Sequence, residues 1–208
     1  VLTASAQHFD LRFGDHDFRR LELNLPGAFQ INNAAIATTL FLLWRQRVQP
    51  RESAGRIEAA IRAGLREVRW PGRLEVIRQQ PLTVIDVGHT PDGIRQSLAS
   101  LTAIHGAHDW ILVTGTSRDK KADEIVGALA PAFDAIICTA ARHKGADALK
   151  IAAAARLAHP AAIIHVAATI ADAVKLSQQI AGAQKRRIYV AGGLFLATPH
   201  ARTAELFE

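Results

Sequence analysis

A chain of 208 residues, almost half of them hydrophobic and with Pro and Gly spread along its length, buries a sizeable core and is not a disordered tail. Its net charge of +6 comes from scattered arginines and short clusters at Arg45/Arg47, Arg142/His143/Lys144 and Lys185/Arg186/Arg187. No continuous basic stripe or interleaved aromatics accompany them, so no nucleic-acid partner is expected. Cys138 is the only cysteine; it excludes an intrachain disulfide, and its apolar neighbours Ile136 and Ile137 mark it as a small buried hydrophobe. The longest apolar stretch, residues 34–44, contains two threonines and falls short of a membrane span, and the first residues lack a secretion-signal pattern. A cytoplasmic protein with no membrane partner is the expectation.

Residues 21–25 alternate as a strand with one buried face, and Pro26-Gly27 ends it. The apolar residues of 31–44 are too dense for a solvent-exposed helix, which predicts a helix packed on both sides. Ser53 then caps an amphipathic helix with Ile57, Ala60, Ile61, Gly64, Leu65 and Val68 on one face. One strand and two helices do not complete a layered architecture. Residues 1–70 therefore read as the tail of an incomplete domain, with Pro71-Gly72 at the junction and Trp70 as a packing anchor.

From residue 71 the rhythm changes. Strand-like runs at 74–77, 82–86, 111–114, 135–139, 162–166 and 187–191 alternate with helical segments near 92–105, 121–129, 146–157 and 170–180. Apolar strands joined by helix-length connections predict an α/β fold: a Rossmann-like, mainly parallel sheet with helices on both faces over 71–208.

Ligands of such sheets gather beyond the carboxyl ends of the strands. Asp86 ends one strand there, followed by Gly88, His89 and Thr90 and then a helix opening at Pro91-Asp92. A carboxylate in that place accepts hydrogen bonds from ribose or lies near a cation, the histidine reaches a phosphate or acyl group, and the helix start favours an anion. Spacing alone equally allows Asp86 and Thr90 to be turn caps. Thr114-Gly115-Thr116-Ser117-Arg118-Asp119-Lys120 stands at the end of the next strand, with small residues for close approach and cations for phosphate charge. Arg73 follows the rigid Trp70-Pro71-Gly72 segment and carries a planar five-donor head suited to phosphates. There is no P-loop, no strand-linked Gly-x-Gly-x-x-Gly, no Gly-x-Ser-x-Gly elbow and no His/carboxylate cluster for a metal.

Taken in order, Leu25-Pro26-Gly27-Ala28-Phe29-Gln30, Asn33-Ala34-Ala35, Trp70-Pro71-Gly72-Arg73, residues 86–91, Gly115 with Asp119-Lys120, and Gly192-Gly193-Leu194-Phe195 resemble the folylpolyglutamate synthase/dihydrofolate synthase family of the Mur ligase superfamily. The resemblance spans nearly the whole chain. It implies an ATP- and Mg2+-dependent ligase that joins glutamate to a folate through an acyl phosphate. Residues 1–70 would be the end of its central ATPase domain and 71–208 its C-terminal domain. Arg73 and His89 would be catalytic, and Arg73, Asp86 and His89 would hold the nucleotide. Thr90, Gly115, Ser117, Asp119, Lys120, Gly193 and Phe195 would line the cleft. The P-loop would come from an N-terminal domain or another chain, and these residues alone are expected to be inactive. The chain departs from the family pattern at Phe29, Val87, Gly88, Thr90 and Gly193, which leaves open a non-catalytic nucleotide-binding module or another Mur-type amino-acid ligase.

Overall fold

The computed structural model describes residues 6–48, 51–118, 122–140 and 145–193. The chain divides into two compact units, Val1–Pro71 with Ala103–His105, and Gly72–Thr102 with Gly106–Glu208.

The first unit opens with strands β1 (Gln7–Phe13) and β2 (His16–Leu23), an antiparallel hairpin turning at Gly14, whose φ of +56° suits a residue without Cβ. Only the far end of β2 is legible in the sequence, because the polar side chains of Asp10, Arg12, Asp17 and Arg19 obscure the alternation of Phe9, Leu11 and Phe13. A register shift between Phe9 and Leu11 marks a bulge, where the Asp10 carboxylate accepts from the Arg20 amide at 2.7 Å and from Arg19 at 3.2 Å. The amide first and the guanidinium second hold that carboxyl below its ordinary value. Helices α1 (Phe29–Val48) and α2 (Ala54–Glu67) complete the unit. Phe9, Phe18, Leu21 and Leu23 of the hairpin form one core with Ala34 and Leu42 of α1 and Ile61 of α2.

Three expectations fail here. Helix α1 packs on one face only: Ala34, Thr38 and Leu42 are buried, whereas Ile36, Leu40, Leu43, Trp44 and Val48 are 48–60% exposed. Ser53 stands at the N-cap of α2 but its hydroxyl makes no capping hydrogen bond. Trp70 is also no anchor, being 61% exposed.

The second unit is a six-stranded sheet. Its strands are β3 (Glu75–Gln79), β4 (Leu82–Asp86), β5 (Trp110–Thr114), β6 (Ala135–Cys138), β7 (Ile163–Val166) and β8 (Arg187–Ala191), in the order β3-β4-β8-β5-β6-β7. All pairs are parallel except β3 with β4, which form a hairpin. The connecting helices are α3 (Pro91–His105), α4 (Ala122–Leu129), α5 (Ala148–Ala158) and α6 (Ile170–Gln184). The chain steps across the sheet from β4 through β5 and β6 to β7, then turns back to insert β8. Right-handed crossovers therefore put α6 on the face opposite α3, α4 and α5. Ile85, Ile111, Val113, Ile137, Ile188 and Val190 pack with Ala173, Val174 and Ala181 of α6. Their strand neighbours Val84, Leu112, Ile136 and Tyr189 point the other way and are fully buried as well. The mainly parallel α/β sheet with helices on both faces is the expected fold, and its central strands β4, β8, β5 and β6 are buried on both faces.

Cys138 lies at the end of β6 with no exposed surface, and burial pushes its thiol up to about 12. It is a core residue and not a nucleophile.

Candidate functional site

Strand register sets the site's floor. Asp86, Ala191, Thr114 and Cys138 are successive partners across β4, β8, β5 and β6, so they form one row at the carboxyl ends of the parallel strands. The small Ala191 beside Asp86 leaves the carboxylate room to turn back toward its own loop.

Asp86 is only 1% exposed. One oxygen, Oδ1, accepts from the Gly88 amide at 2.7 Å; the other, Oδ2, accepts from the Leu74 amide at 3.2 Å. Arg73 Nη1 stands 4.0 Å from Oδ1, an ion pair too long for a hydrogen bond. Burial is the largest influence on this carboxyl and raises it above its ordinary value; Gly88 N–H, the Arg73 charge, Ser97 and Leu74 N–H act in the opposite sense. Ser97, buried on α3, supplies only a weak contact, since its Oγ has no hydrogen-bond partner of good geometry.

The segment that carries Arg73 is tightly constrained. Gly72 has φ +79°, its amide donates to the Glu75 carboxylate at 2.6 Å and its carbonyl accepts from Val87 N at 2.7 Å. A Cβ on Gly72 would lie 2.7 Å from Val87 Cγ1, so a larger residue at 72 would force the Val87 side chain to shift. Leu74 has φ +47°, a left-handed conformation that costs a non-glycine residue about 1–2 kcal/mol. Its buried side chain and its hydrogen bond to Asp86 hold it there. Gly88 has its own reason: a Cβ would approach Asp86 Oδ1 to 2.6 Å. The two departures at 87 and 88 thus form one steric arrangement with Gly72 and Asp86.

His89 and Thr90 follow at the surface. His89 Nδ1 lies 3.4 Å from the Val87 carbonyl, and Thr90 caps α3 by accepting from the Gly93 amide at 3.2 Å. Pro91 occupies the first turn, where a missing N–H costs nothing. The arrangement therefore presents an imidazole and a helix N-terminus beside an arginine that is 27% exposed.

The loop after β5 is tied to the loops after β6 and β8. Ser117 bridges Gly145, Ala146 N donates to the Thr116 carbonyl at 2.8 Å, and Arg118 Nε donates to the Gly145 carbonyl at 2.8 Å. Gly192, at φ +126°, passes so close that a Cβ would sit 2.4 Å from the Gly115 oxygen. Gly115 and Gly193 are buried and Ser117 is half-buried. Asp119, Lys120 and Phe195 lie outside the described residues.

The sheet sets Asp86, His89 and Thr90 in the turn after β4, brings Arg73 from the segment before β3 to within 4.0 Å of Asp86, and places Gly115, Ser117 and Gly193 at neighbouring strand ends. Reasoning from the sequence missed Leu74 and Glu75, whose roles depend on a positive φ and a short backbone contact that no residue pattern announces. It also missed Tyr189. That side chain is fully buried on β8, stacked on Phe133 with ring centroids 5.9 Å apart, and its hydroxyl has no partner among the described residues. Its phenol is raised well above its ordinary value, by burial first and then by the negative charge of Asp86.

Comparison with known proteins adds an independent line. The family model for the Mur ligase, glutamate ligase domain, matches residues 72–194. A probable bifunctional folylpolyglutamate synthase/dihydropteroate synthase of Haloferax volcanii is 36% identical over 133 residues, covering 63% of this chain and 15% of that protein. A dihydrofolate synthase/folylpolyglutamate synthase of Mycobacterium tuberculosis is 34% identical over 145 residues, covering 64% of this chain and 28% of its own length. The solved structure of Mycobacterium tuberculosis folylpolyglutamate synthase complexed with ADP and AMPPCP superposes with a TM-score of 0.75 at 26% identity, over 90% of this chain and 42% of that one. This chain thus spans less than half the length of each of these relatives.

Proposed function

We propose, since the chain belongs to the Mur ligase family through its glutamate ligase domain, that it is one part of an ATP-dependent carboxylate–amine ligase that adds glutamate to a folate through an acyl phosphate. The observation that carries this reading is the approach of Arg73 to Asp86, the residue that opens the turn with His89 and the start of α3, at the carboxyl end of the sheet. Arg73 would face the phosphates of ATP, where a guanidinium stabilises charge as the phosphoryl group moves and again when the amine attacks. His89 would lie beside the reacting phosphate or the incoming glutamate. Thr90, Gly115, Ser117 and Gly193 would line the cleft.

The phosphate-gripping half of the site is assigned to a P-loop domain, joined to this chain or supplied by another. Two features support that division. The sequence contains no P-loop. The stripe Ile36, Leu40, Leu43, Trp44 and Val48 on α1 is an apolar face of the kind a further layer covers. Magnesium would be held chiefly by the phosphates of ATP with one or two carboxylates, as is usual for this ion. Enclosure of the acyl phosphate by both halves would keep water away until the amine attacks. Nothing on this chain acts as a covalent nucleophile in the scheme. No helix among the described residues is long and apolar enough to cross a membrane, and the proposal places the reaction in the cytoplasm.

The test is phosphate and ADP release by the protein combined with its P-loop domain, assayed with folates and with peptidoglycan precursors, with and without glutamate. Release that requires both a folate and glutamate is expected. No amine-dependent release across the panel, together with no ATP binding, rejects the reading; release with a peptidoglycan precursor alone reassigns the chain within the superfamily.

A further inference from the structure

Helix α5 packs on β6 and β7 and fully buries Ile151, Ala152 and Ala155. Its other side is apolar too. Leu149 is 66% exposed and Leu157 85%, with an exposed Ala153 midway between them. In helical projection these three fall within about 80° of one another, while Arg156 stands about 20° outside Leu149 and Lys150 about 20° outside Leu157. The exposed side of α5 is therefore a narrow apolar stripe with a cation on each flank. Neither Lys150 nor Arg156 forms an ion pair among the described residues. Val166 extends the apolar surface onto the neighbouring edge strand. Ile163 and His165 pair with Ala135 and Ile137, which face α6, so Val166, 41% exposed, lies on the α5 side.

The charge around this stripe says what can cover it. Residues 148–171, which run from the start of α5 through β7 into α6, contain no Asp or Glu. Two copies of α5 set against each other would match their leucines but would gather four cations with no carboxylate to meet them, on a chain whose net charge is +6. A partner that carries carboxylates pairs both cations. The leucines, eight residues apart, stand about 12 Å from each other along the helix axis with the small Ala153 between them, a recess that takes one large apolar side chain of a crossing helix. We propose that α5 is a docking face for an acidic amphipathic helix of a partner protein, one whose apolar stripe is flanked by Glu or Asp on both sides. A large apolar side chain of that helix would sit over Ala153, and its carboxylates would meet Lys150 and Arg156. The inference does not depend on the ligase reading.

The probe is a designed helical peptide with leucines at i, i+4 and i+8 and glutamates on both flanks, titrated into the 208-residue chain and followed by amide NMR shifts. Saturable shifts confined to α5 and its surroundings are expected, with binding about tenfold tighter than for the same peptide carrying lysine at each glutamate position. Added salt is expected to narrow that preference. Leu149→Ser/Leu157→Ser is expected to weaken the acidic peptide by at least about tenfold, both side chains being too exposed for the change to disturb the fold. Lys150→Glu/Arg156→Glu is expected to reverse the preference, so that the lysine peptide becomes the tighter ligand.

A peptide with proline at its centre cannot form the helix and is expected to bind at least about tenfold more weakly. Equal binding by the proline peptide, with shifts on the β7 amides, assigns the surface to an added strand and overturns the helical partner. No binding of the acidic peptide, equal binding of the acidic and lysine peptides, or a charge-reversed chain that keeps the original preference overturns the proposal as well. So do α5 shifts that grow with protein concentration in the wild type alone, which assign the stripe to a second copy. Thermal melts check that each variant is folded; if the double serine variant is not, Leu157→Ser alone, at the more exposed site, makes the same test.

Discussion

Helix α1 and the six-stranded sheet treat their apolar residues in opposite ways. Every central strand of the sheet is covered on both faces, by α6 on one side and by helices of the other layer on the other, so Ile111, Ile136, Tyr189 and Val190 show essentially no surface. Helix α1 is also rich in large apolar residues but buries one face only, with Leu42 at 1% exposure and Leu40 at 60% on the same helix. The sheet closes its core with its own chain, whereas α1 displays an apolar face of the kind that meets another layer. The candidate site residues Arg73, Asp86 and His89 belong to the closed region, whereas the open face of α1 exposes Ile36, Leu40, Leu43, Trp44 and Val48.

The comparison breaks first in the core of the sheet. Ile136→Ala is expected to cost about 2–5 kcal/mol, since a fully buried site with both faces packed cannot collapse around the cavity; urea unfolding measures it. Leu42→Ala on α1 belongs to the same class, while Leu40→Gln, two residues away, is expected to change stability by less than about 0.5 kcal/mol. Equal losses at 40 and 42 would remove the distinction between the two faces. Sedimentation of Leu40→Gln sharpens it, with less self-association than wild type expected if the stripe is the sticky face.

Gly192→Ala is the next largest effect. A Cβ 2.4 Å from the Gly115 oxygen, at φ +126°, is expected to cost about 1–3 kcal/mol and to shift the loop after β5. A melting temperature equal to wild type would show that this close approach is not maintained.

A smaller, pH-dependent effect belongs to Asp86. Its carboxyl titrates above 3.8 in the folded protein, chiefly because it is buried. Between its unfolded and folded values the native state binds more protons, so stability from this group falls as pH rises through that window and is level above it. Urea midpoints followed from pH 3 upward are expected to show that decline in wild type and not in Asp86→Asn. A wild-type midpoint that rises through the same window relative to Asp86→Asn would reverse the sign and contradict the burial argument.

Much of the sheet is visible in the sequence, because parallel strands buried on both faces are nearly unbroken apolar runs such as Trp110-Ile111-Leu112-Val113 and Ala135-Ile136-Ile137-Cys138. The hairpin β1–β2 is not, since an exposed two-stranded ribbon mixes charge into its alternation and its turn rests on a single Gly14. The density of apolar residues in α1 is also legible, but density does not say what will cover each face. At the site, Arg73, Asp86 and His89 stand out by motif. Their mechanical linkage does not, because it depends on the left-handed Leu74, the Gly72–Val87 contact and the space left by Gly88, all of which are facts of backbone geometry.

The most direct test of the functional account is the effect of Arg73→Ala on glutamate-dependent phosphate release by the protein assembled with its P-loop domain. The account predicts a fall of at least about tenfold, equivalent to about 1.4 kcal/mol of transition-state stabilisation, with the melting temperature unchanged. Undiminished glutamate-dependent release by a folded Arg73→Ala protein would contradict it.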